Sequence, residues 1–331
     1  MRVLHVHDCW PVTGDLVNGL RAFGVEAEIF EPTIGIYQTS KLRRVALPVI
    51  RTLEAFRLRR LVQQQKYDIV HVHYARHAYM TLITGIPYFL HCHGGDLIND
   101  TRRFGFRQLT ITAIRSARKV FYVTPDLYKY LVDIRGDAIF LPNPIDIDIF
   151  KPQGVETHNV LCISKLDRRK GVERFIQAIE LIWDMRPQTQ IAMFNFGDAS
   201  DLAKLWIEEH RHDPRLILLP RIPHAEMPSL IGSFSVVLGQ QSLDIGAMGM
   251  SELEAMACGK PVVCYYGYPN AYPEPPPVLV SQTPEEACMH IVRLLEDPAL
   301  GQSLGRQGRE WVAKYHEQKQ IARRLLQYYR A

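Results

Sequence analysis

The sequence predicts two doubly wound α/β domains in tandem. Short apolar runs alternate with longer amphipathic stretches along nearly the whole chain, the rhythm of βαβ units built on parallel sheets. That rhythm stops once, between Pro142 and Pro152, where three prolines (Pro142, Pro144, Pro152) and alternating aspartates mark an interdomain linker. The chain has 331 residues, more than one domain of about 100–200 residues requires.

In the first half the runs Arg2–His7, Ala27–Phe30, Ile69–His73, Tyr88–His93, Lys119–Val123 and Ala138–Leu141 read as strands. Helical periodicity fills Leu16–Phe23, Leu47–Gln64, Ala78–Thr84 and Phe106–Ala117. After the linker, strands are predicted at Val160–Ser164, Gln190–Phe196, Ile217–Leu219, Val236–Leu238, Val262–Tyr265 and Pro277–Val280. Helices are predicted at Val172–Trp183, Ala199–His210, Ser251–Ala257, Pro284–Leu295, Gln302–Tyr315 and Glu317–Tyr329. Open α/β sheets bind ligands at the carboxyl ends of their strands, so two such domains are expected to face a shared cleft.

Composition removes several classes. With 47% hydrophobic and 22% charged residues, the chain is neither disordered nor a coiled coil. Six cysteines without a C-x-x-C pair argue against a disulfide scaffold or a zinc knuckle and fit a reducing cytoplasm. No leader is visible, and the longest stretch free of Asp, Glu, Lys and Arg, His77–Gly95, is broken by Gly85 and Pro87, against a membrane span. The net charge is +4. Residues 1–150 carry 19 Lys and Arg against 14 Asp and Glu, the remainder 20 against 21. Anionic ligands or surfaces should prefer the first half, but the excess is too small for a nucleic-acid binder.

No G-x-G-x-x-G, complete P-loop or H-E-x-x-H is present, which weakens dehydrogenase, NTPase and metalloprotease readings. Three predicted strands end in His-x-His: His5 and His7, His71 and His73, His91 and His93. A spacing of two keeps each pair on one strand face. Parallel neighbours would gather His7, His73 and His93 as a substrate-binding or acid/base cluster, a metal site or polar packing. Gly94-Gly95-Asp96 either admits a ligand to the backbone or simply makes a tight turn. Ser164–Gly171 (SKLDRRKG) puts basic side chains at a helix start, suited to a pyrophosphate or left in solvent. Gly246–Val263 reads as a Gly-rich loop, a short helix, a Gly-Lys-Pro turn and a buried strand.

These segments together resemble glycosyltransferase family 4, with its two-domain GT-B fold. Tyr67–Ala75 (YDIVHVHYA) is similar to the family's "DVVHAH" strand, and Gly85–Leu97 (GIPYFLHCHGGDL) to its "G-x-P…H-G-x-D" stretch. Pro142–Phe150 (PNPIDIDIF) resembles the "P-N-G-V-D…F" linker, Ser164–Gly171 the "G-R-L…K-G" loop, and Gly197-Asp198 the "G-D-G" turn. Glu252–Val263 (ELEAMACGKPVV) is nearly identical to "LEAMACGKPVV". Their order and spacing cover most of the chain.

The resemblance implies an acceptor-binding domain over residues 1–150, a nucleotide-sugar domain over 151–315, and a helix over 316–331 crossing back to the first. It implies transfer of a sugar from a UDP- or GDP-sugar to a glycan or lipid-linked acceptor, with retention and with neither metal nor cofactor. Lys165, at the family's usual arginine, and Lys170 would hold the diphosphate in place of a divalent ion; lysine lacks arginine's bidentate fork. His93 would face the reacting sugar, and His73, Arg76 and Asp96 would bind the acceptor. Gly14, Gly197, Gly249, Met250, Ser251 and Glu254 would complete the donor site, Glu254 on the ribose. Gly246 stands where the E-x₇-E motif has its first glutamate; Asp244, or amides near Gly246 and Gly249, would take its place. Asp146-Ile147-Asp148 falls inside the linker and is read as structural. The basic, apolar segment Lys41–Arg60 suits either an anionic membrane surface, at the inner face, or core packing with a solvated basic side. The alternatives are a nucleotide-sugar epimerase and a non-catalytic binding subunit.

Overall fold

The computed structural model describes residues 1–32, 41–153 and 158–331, with the backbone alone for 41–46 and 158. It divides into two compact units: Met1–Pro144 with Gln318–Ala331, and Ile145–Glu317.

Unit 1 is built on a parallel sheet of β1 (Arg2–Val6), β2 (Glu26–Phe30), β3 (Ile69–His73), β4 (Phe89–Cys92), β5 (Val120–Tyr122) and β6 (Ile139–Phe140), in the order β2-β1-β3-β4-β5-β6. Its helices are α1 (Val12–Arg21), α2 (Lys41–Gln65), α3 (Tyr79–Thr84), α4 (Gly95–Ile98) and α5 (Phe106–Ser116), with the C-terminal α12 (Gln318–Arg330). Strand alternation separates the two sheet faces. Leu4, Val6, Val70, Val72 and Leu90 pack with Ala55 and Leu58 of α2 and with Ala113 and Ile114 of α5. The opposite face carries His5, His71, His73 and His91 with Phe89 and Phe121. There β1 and β3 pair His5 with His71, and β3 and β4 pair His73 with His91. α12 covers that face: Tyr329 Oη hydrogen-bonds His71 Nδ1 at 2.7 Å, and its ring packs on Phe89. It also meets α1 at Gly19, where a Cβ would lie 2.5 Å from the Gln318 carbonyl oxygen.

Unit 2 has β7 (His158–Cys162), β8 (Ile191–Phe194), β9 (Leu216–Leu219), β10 (Phe234–Leu238), β11 (Val262–Cys264) and β12 (Leu279–Val280), ordered β12-β11-β10-β7-β8-β9, all parallel. Its helices are α6 (Val172–Met185), α7 (Asp201–His210), α8 (Met227–Gly232), α9 (Met250–Ala257), α10 (Pro284–Glu296) and α11 (Pro298–Tyr315). Val160, Cys162, Ile191 and Val236 face the core under α6, α7 and α10. Leu161, Ile163, Ala192 and Val237 face the core under α9 and α11. α11 starts four residues before the predicted point, because Asp297 caps it by accepting from the Leu300 amide and Pro298 supplies a first-turn φ.

The unit boundary at Pro144 puts most of the proline-rich linker into unit 2. Ile145 bridges Glu317, and Arg309 donates to the carbonyls of Ile147 and Phe150 at 3.1 and 2.9 Å. Asp146 Oδ1 accepts from the amides of Asp148 and Ile149, so it closes a local turn. No described helix is long and apolar enough to cross a membrane, and all six cysteines are free.

Candidate active site

In unit 2 the loops following β7, β10 and β11 converge on the start of α9. Gly171 makes the convergence possible: at φ +79° it lies so close to the end of β10 that a Cβ would sit 2.8 Å from the Gln241 carbonyl. The Gln241 amide donates to the Lys170 carbonyl at 3.0 Å. The preceding turn is capped by Asp167, which accepts from the Arg169 amide at 2.9 Å and sits 3.2 Å from Lys165 Nζ. Lys165 is half exposed. Lys170 Nζ reaches α9, lying 3.3 Å from where a Cβ of Gly249 would be. A cation thus stands beside a helix start whose first amides, at Met250 and Ser251, have no partner within the helix. Gly197 (φ +140°) presses on the same loop, its missing Cβ leaving room for the Leu166 carbonyl.

Glu252 is the hub that sequence reasoning missed. It is buried, accepts from the Gln240 amide (2.8 Å) and Ser164 Oγ (3.3 Å) through Oε1, and from the Gly249 amide (2.8 Å) through Oε2. One carboxylate therefore fixes the ends of β7 and β10 and the start of α9. The visible signal was its place three residues after Gly249, the spacing of a capping box.

Glu254, expected on a ribose, is also buried. Its Oε1 lies 2.7 Å from His224 Nε2, a partner the sequence did not reveal. Burial pushes the Glu254 carboxyl above its ordinary range, with His224 opposing. Asp244 is exposed. Gly246 has φ +63°, and a Cβ there would come within 3.1 Å of the Tyr268 ring; its carbonyl accepts from the Gly267 amide at 2.8 Å. The loop is shaped for glycine at this position.

In unit 1, His93 follows β4, and its Nε2 lies 2.9 Å from His73 Nδ1. His73 Nε2 in turn lies 2.9 Å from His5 Nδ1. His5 thus occupies the place that strand spacing assigned to His7. The reason is local: His7 leaves the strand at φ +75°, pairs with Glu31 at 3.1 Å and stacks on His77. Burial, with His91 nearby, holds His5 down near 3; burial alone is the main cause holding His91 near 3, and it also lowers His71, His73 and His93. Asp96 is wholly enclosed, accepting from the amides of Ala75, His93, Gly94 and Leu97. Arg76 pairs with Asp100 at 3.0 Å and lies over the Tyr74 ring. Gly14 is inside the first turn of α1, with open space where its Cβ would be.

Residues 146–311 match the family of glycosyl transferases group 1, and residues 11–149 match glycosyltransferase family 4. The chain is 23% identical over 269 residues to a component of the phosphatidylinositol N-acetylglucosaminyltransferase of Arabidopsis thaliana, covering 76% of this chain and 56% of that protein. It is 30% identical over 172 residues to a GDP-mannose-dependent α-(1-6)-phosphatidylinositol monomannoside mannosyltransferase of Mycolicibacterium smegmatis, covering 46% and 42%. The chain spans about half the length of the curated relatives it matches. Among solved structures, a sucrose-phosphate synthase of Thermosynechococcus elongatus superposes with TM-score 0.73 at 18% identity, covering 100% of this chain and 98% of that one. HepE of Anabaena in complex with UDP and glucose superposes with TM-score 0.71 at 15% identity, covering 99% of both. With both halves matched and two six-stranded parallel sheets in place, the chain belongs to the glycosyl transferases of group 1 and family 4 and has their α/β GT-B fold.

Proposed function

We propose that this chain transfers a sugar from a UDP- or GDP-sugar to a glycan or lipid-linked acceptor. The observation that carries the reading is Lys170, whose backbone is fixed by the packing of Gly171 on Gln241 and whose ammonium lies beside Gly249. A diphosphate placed at the start of α9 would meet that ammonium, with Lys165 on the same loop and helix amides below. When the bond from the sugar's anomeric carbon to the diphosphate oxygen breaks, the oxygen keeps the electron pair, and the two lysine cations would stabilise that charge without a divalent ion. His93 would face the sugar, which is transferred with retention. Glu254 would meet the ribose by exchanging its bond to His224. Gly14, Gly197, Met250 and Ser251 would line the donor site; amides around Gly246, or Asp244, would serve the sugar hydroxyls. His73, Arg76 and Asp96 would shape the acceptor side.

α2 supports a membrane-side acceptor. Ala55 and Leu58 point into the core, while Val49, Leu53 and Phe56, spaced along one helix face, are 64, 64 and 53% exposed beside Arg57 and Arg60. An apolar stripe flanked by cations suits an anionic bilayer. The side chains of Lys41, Arg43 and Arg44 lie outside the described residues.

The test is transfer and donor hydrolysis with a panel of UDP- and GDP-sugars, with and without EDTA. Sugar transfer from one of them in EDTA is expected. Nucleotide binding without turnover in any acceptor mixture would favour the second reading, a non-catalytic binding protein, which Gly246 in place of a glutamate motivates.

A further inference from the structure

The histidine face of unit 1 holds more ring nitrogens than a single sugar-facing residue needs. Among the described residues, two groups of three offer ligand atoms within 4.8 Å of one another: His5, His71 and His73, and His73, His91 and His93. The first is wholly buried. The second lies at the carboxyl ends of β3 and β4, and His93 is partly exposed.

We propose that His73, His91 and His93 form a three-histidine site for a borderline divalent metal ion of the Zn²⁺ class, with a fourth position open on the His93 side. Three features support it. First, the donor set is imidazole alone, which suits Zn²⁺ and its transition-metal neighbours rather than Mg²⁺ or Ca²⁺. Second, His91 Nε2 is buried and makes no hydrogen bond of ordinary geometry, with the Leu141 carbonyl beside the ring, so an ion there would displace only that contact. Third, two of the three ligands already have the outer partners that metal-bound histidines require. His73 Nδ1 faces His93 Nε2, leaving its Nε2 on His5 at 2.9 Å. His91 puts Nδ1 on His71 at 3.2 Å, and His71 continues to Tyr329. Metal–nitrogen bonds of about 2.0–2.1 Å in tetrahedral geometry place ligand nitrogens roughly 3.4 Å apart, so the His73–His93 pair opens by about half an ångström on binding.

This ion is distinct from anything beneath the diphosphate, whose proposed partners belong to unit 2. Because it engages His93, it would compete with the sugar-facing role proposed above and act as an inhibitor of transfer, not a cofactor.

The experiment is titration of the untagged, metal-stripped full chain with Co²⁺, followed by visible absorption and by metal content after gel filtration, with Zn²⁺ as competitor. One equivalent of Co²⁺ with tetrahedral-type visible bands, displaced by Zn²⁺, is expected. His93→Gln, on the accessible side and least disruptive to folding, and His91→Gln should each weaken binding at least tenfold. His5→Gln, which removes only an outer partner, should weaken it roughly 10–100-fold. Absence of the bands in the wild-type chain, or unchanged affinity in folded His93→Gln, overturns the proposal. Neither readout depends on glycosyl transfer, so a failed transfer assay leaves this test intact.

Discussion

Gly246 shows how one residue decides what its loop can accept. Its φ of +63° and the Tyr268 ring 3.1 Å from the Cβ position leave no relaxed place for the glutamate that relatives are expected to carry there. Gly246→Glu should therefore destabilise unit 2 by about 1–3 kcal/mol without restoring a sugar-binding carboxylate; thermal unfolding and donor affinity check both halves of that statement. Glu254 makes a second residue-scale prediction. Its carboxyl is raised above the ordinary 4.5 mainly by burial, so the folded state holds this proton more tightly than the unfolded chain does. Stability attributable to it is present below pH 4.5 and is lost as pH rises through the folded value. Glu254→Gln should thus gain stability relative to the wild type between pH 4.5 and neutrality while weakening nucleotide binding, as unfolding curves at pH 4.5 and 7.5 will show. The positions of Lys170 and Gly249 were legible from the motifs they sit in. Glu252 and His224 were not, because a buried carboxylate that ties three chain segments has no short-range pattern, and His224 is 30 residues from Glu254.

At the scale of elements, strand alternation was readable because β1, β3 and β4, buried on both faces, still alternate aliphatic and histidine side chains every two residues. That pattern correctly put His5, His71, His73, His91 and His93 on one face, whereas His7 escaped because its left-handed backbone ends the repeat. The docking of α12 in unit 1 depends on contacts across nearly the whole chain, which periodicity cannot carry. Two substitutions probe it. Gly19→Ala drives a methyl to 2.5 Å from the Gln318 carbonyl and should cost about 1–3 kcal/mol or more, unless α12 shifts. Tyr329→Phe leaves His71 Nδ1 buried without its partner and should cost about 1–3 kcal/mol. Denaturant unfolding followed by signals confined to unit 1 measures both.

For the molecule as a whole, the units differ in what they concentrate: a face of buried imidazoles in unit 1, and ammonium groups beside a helix start fixed by a buried carboxylate in unit 2. Repeated βα rhythm made the two-unit plan legible, and the motif order made the family legible; the glycine contacts that aim Lys170 are tertiary and needed the structure. The central claim is that Lys170 holds a nucleotide diphosphate. Calorimetric titration of the wild-type chain and Lys170→Ala with UDP and with GDP tests it most directly. Binding of at least one nucleotide is predicted, weakened in the variant by about 1.5–3 kcal/mol, roughly 10–150-fold. No heat with either nucleotide, or equal affinity in wild type and variant, would contradict it.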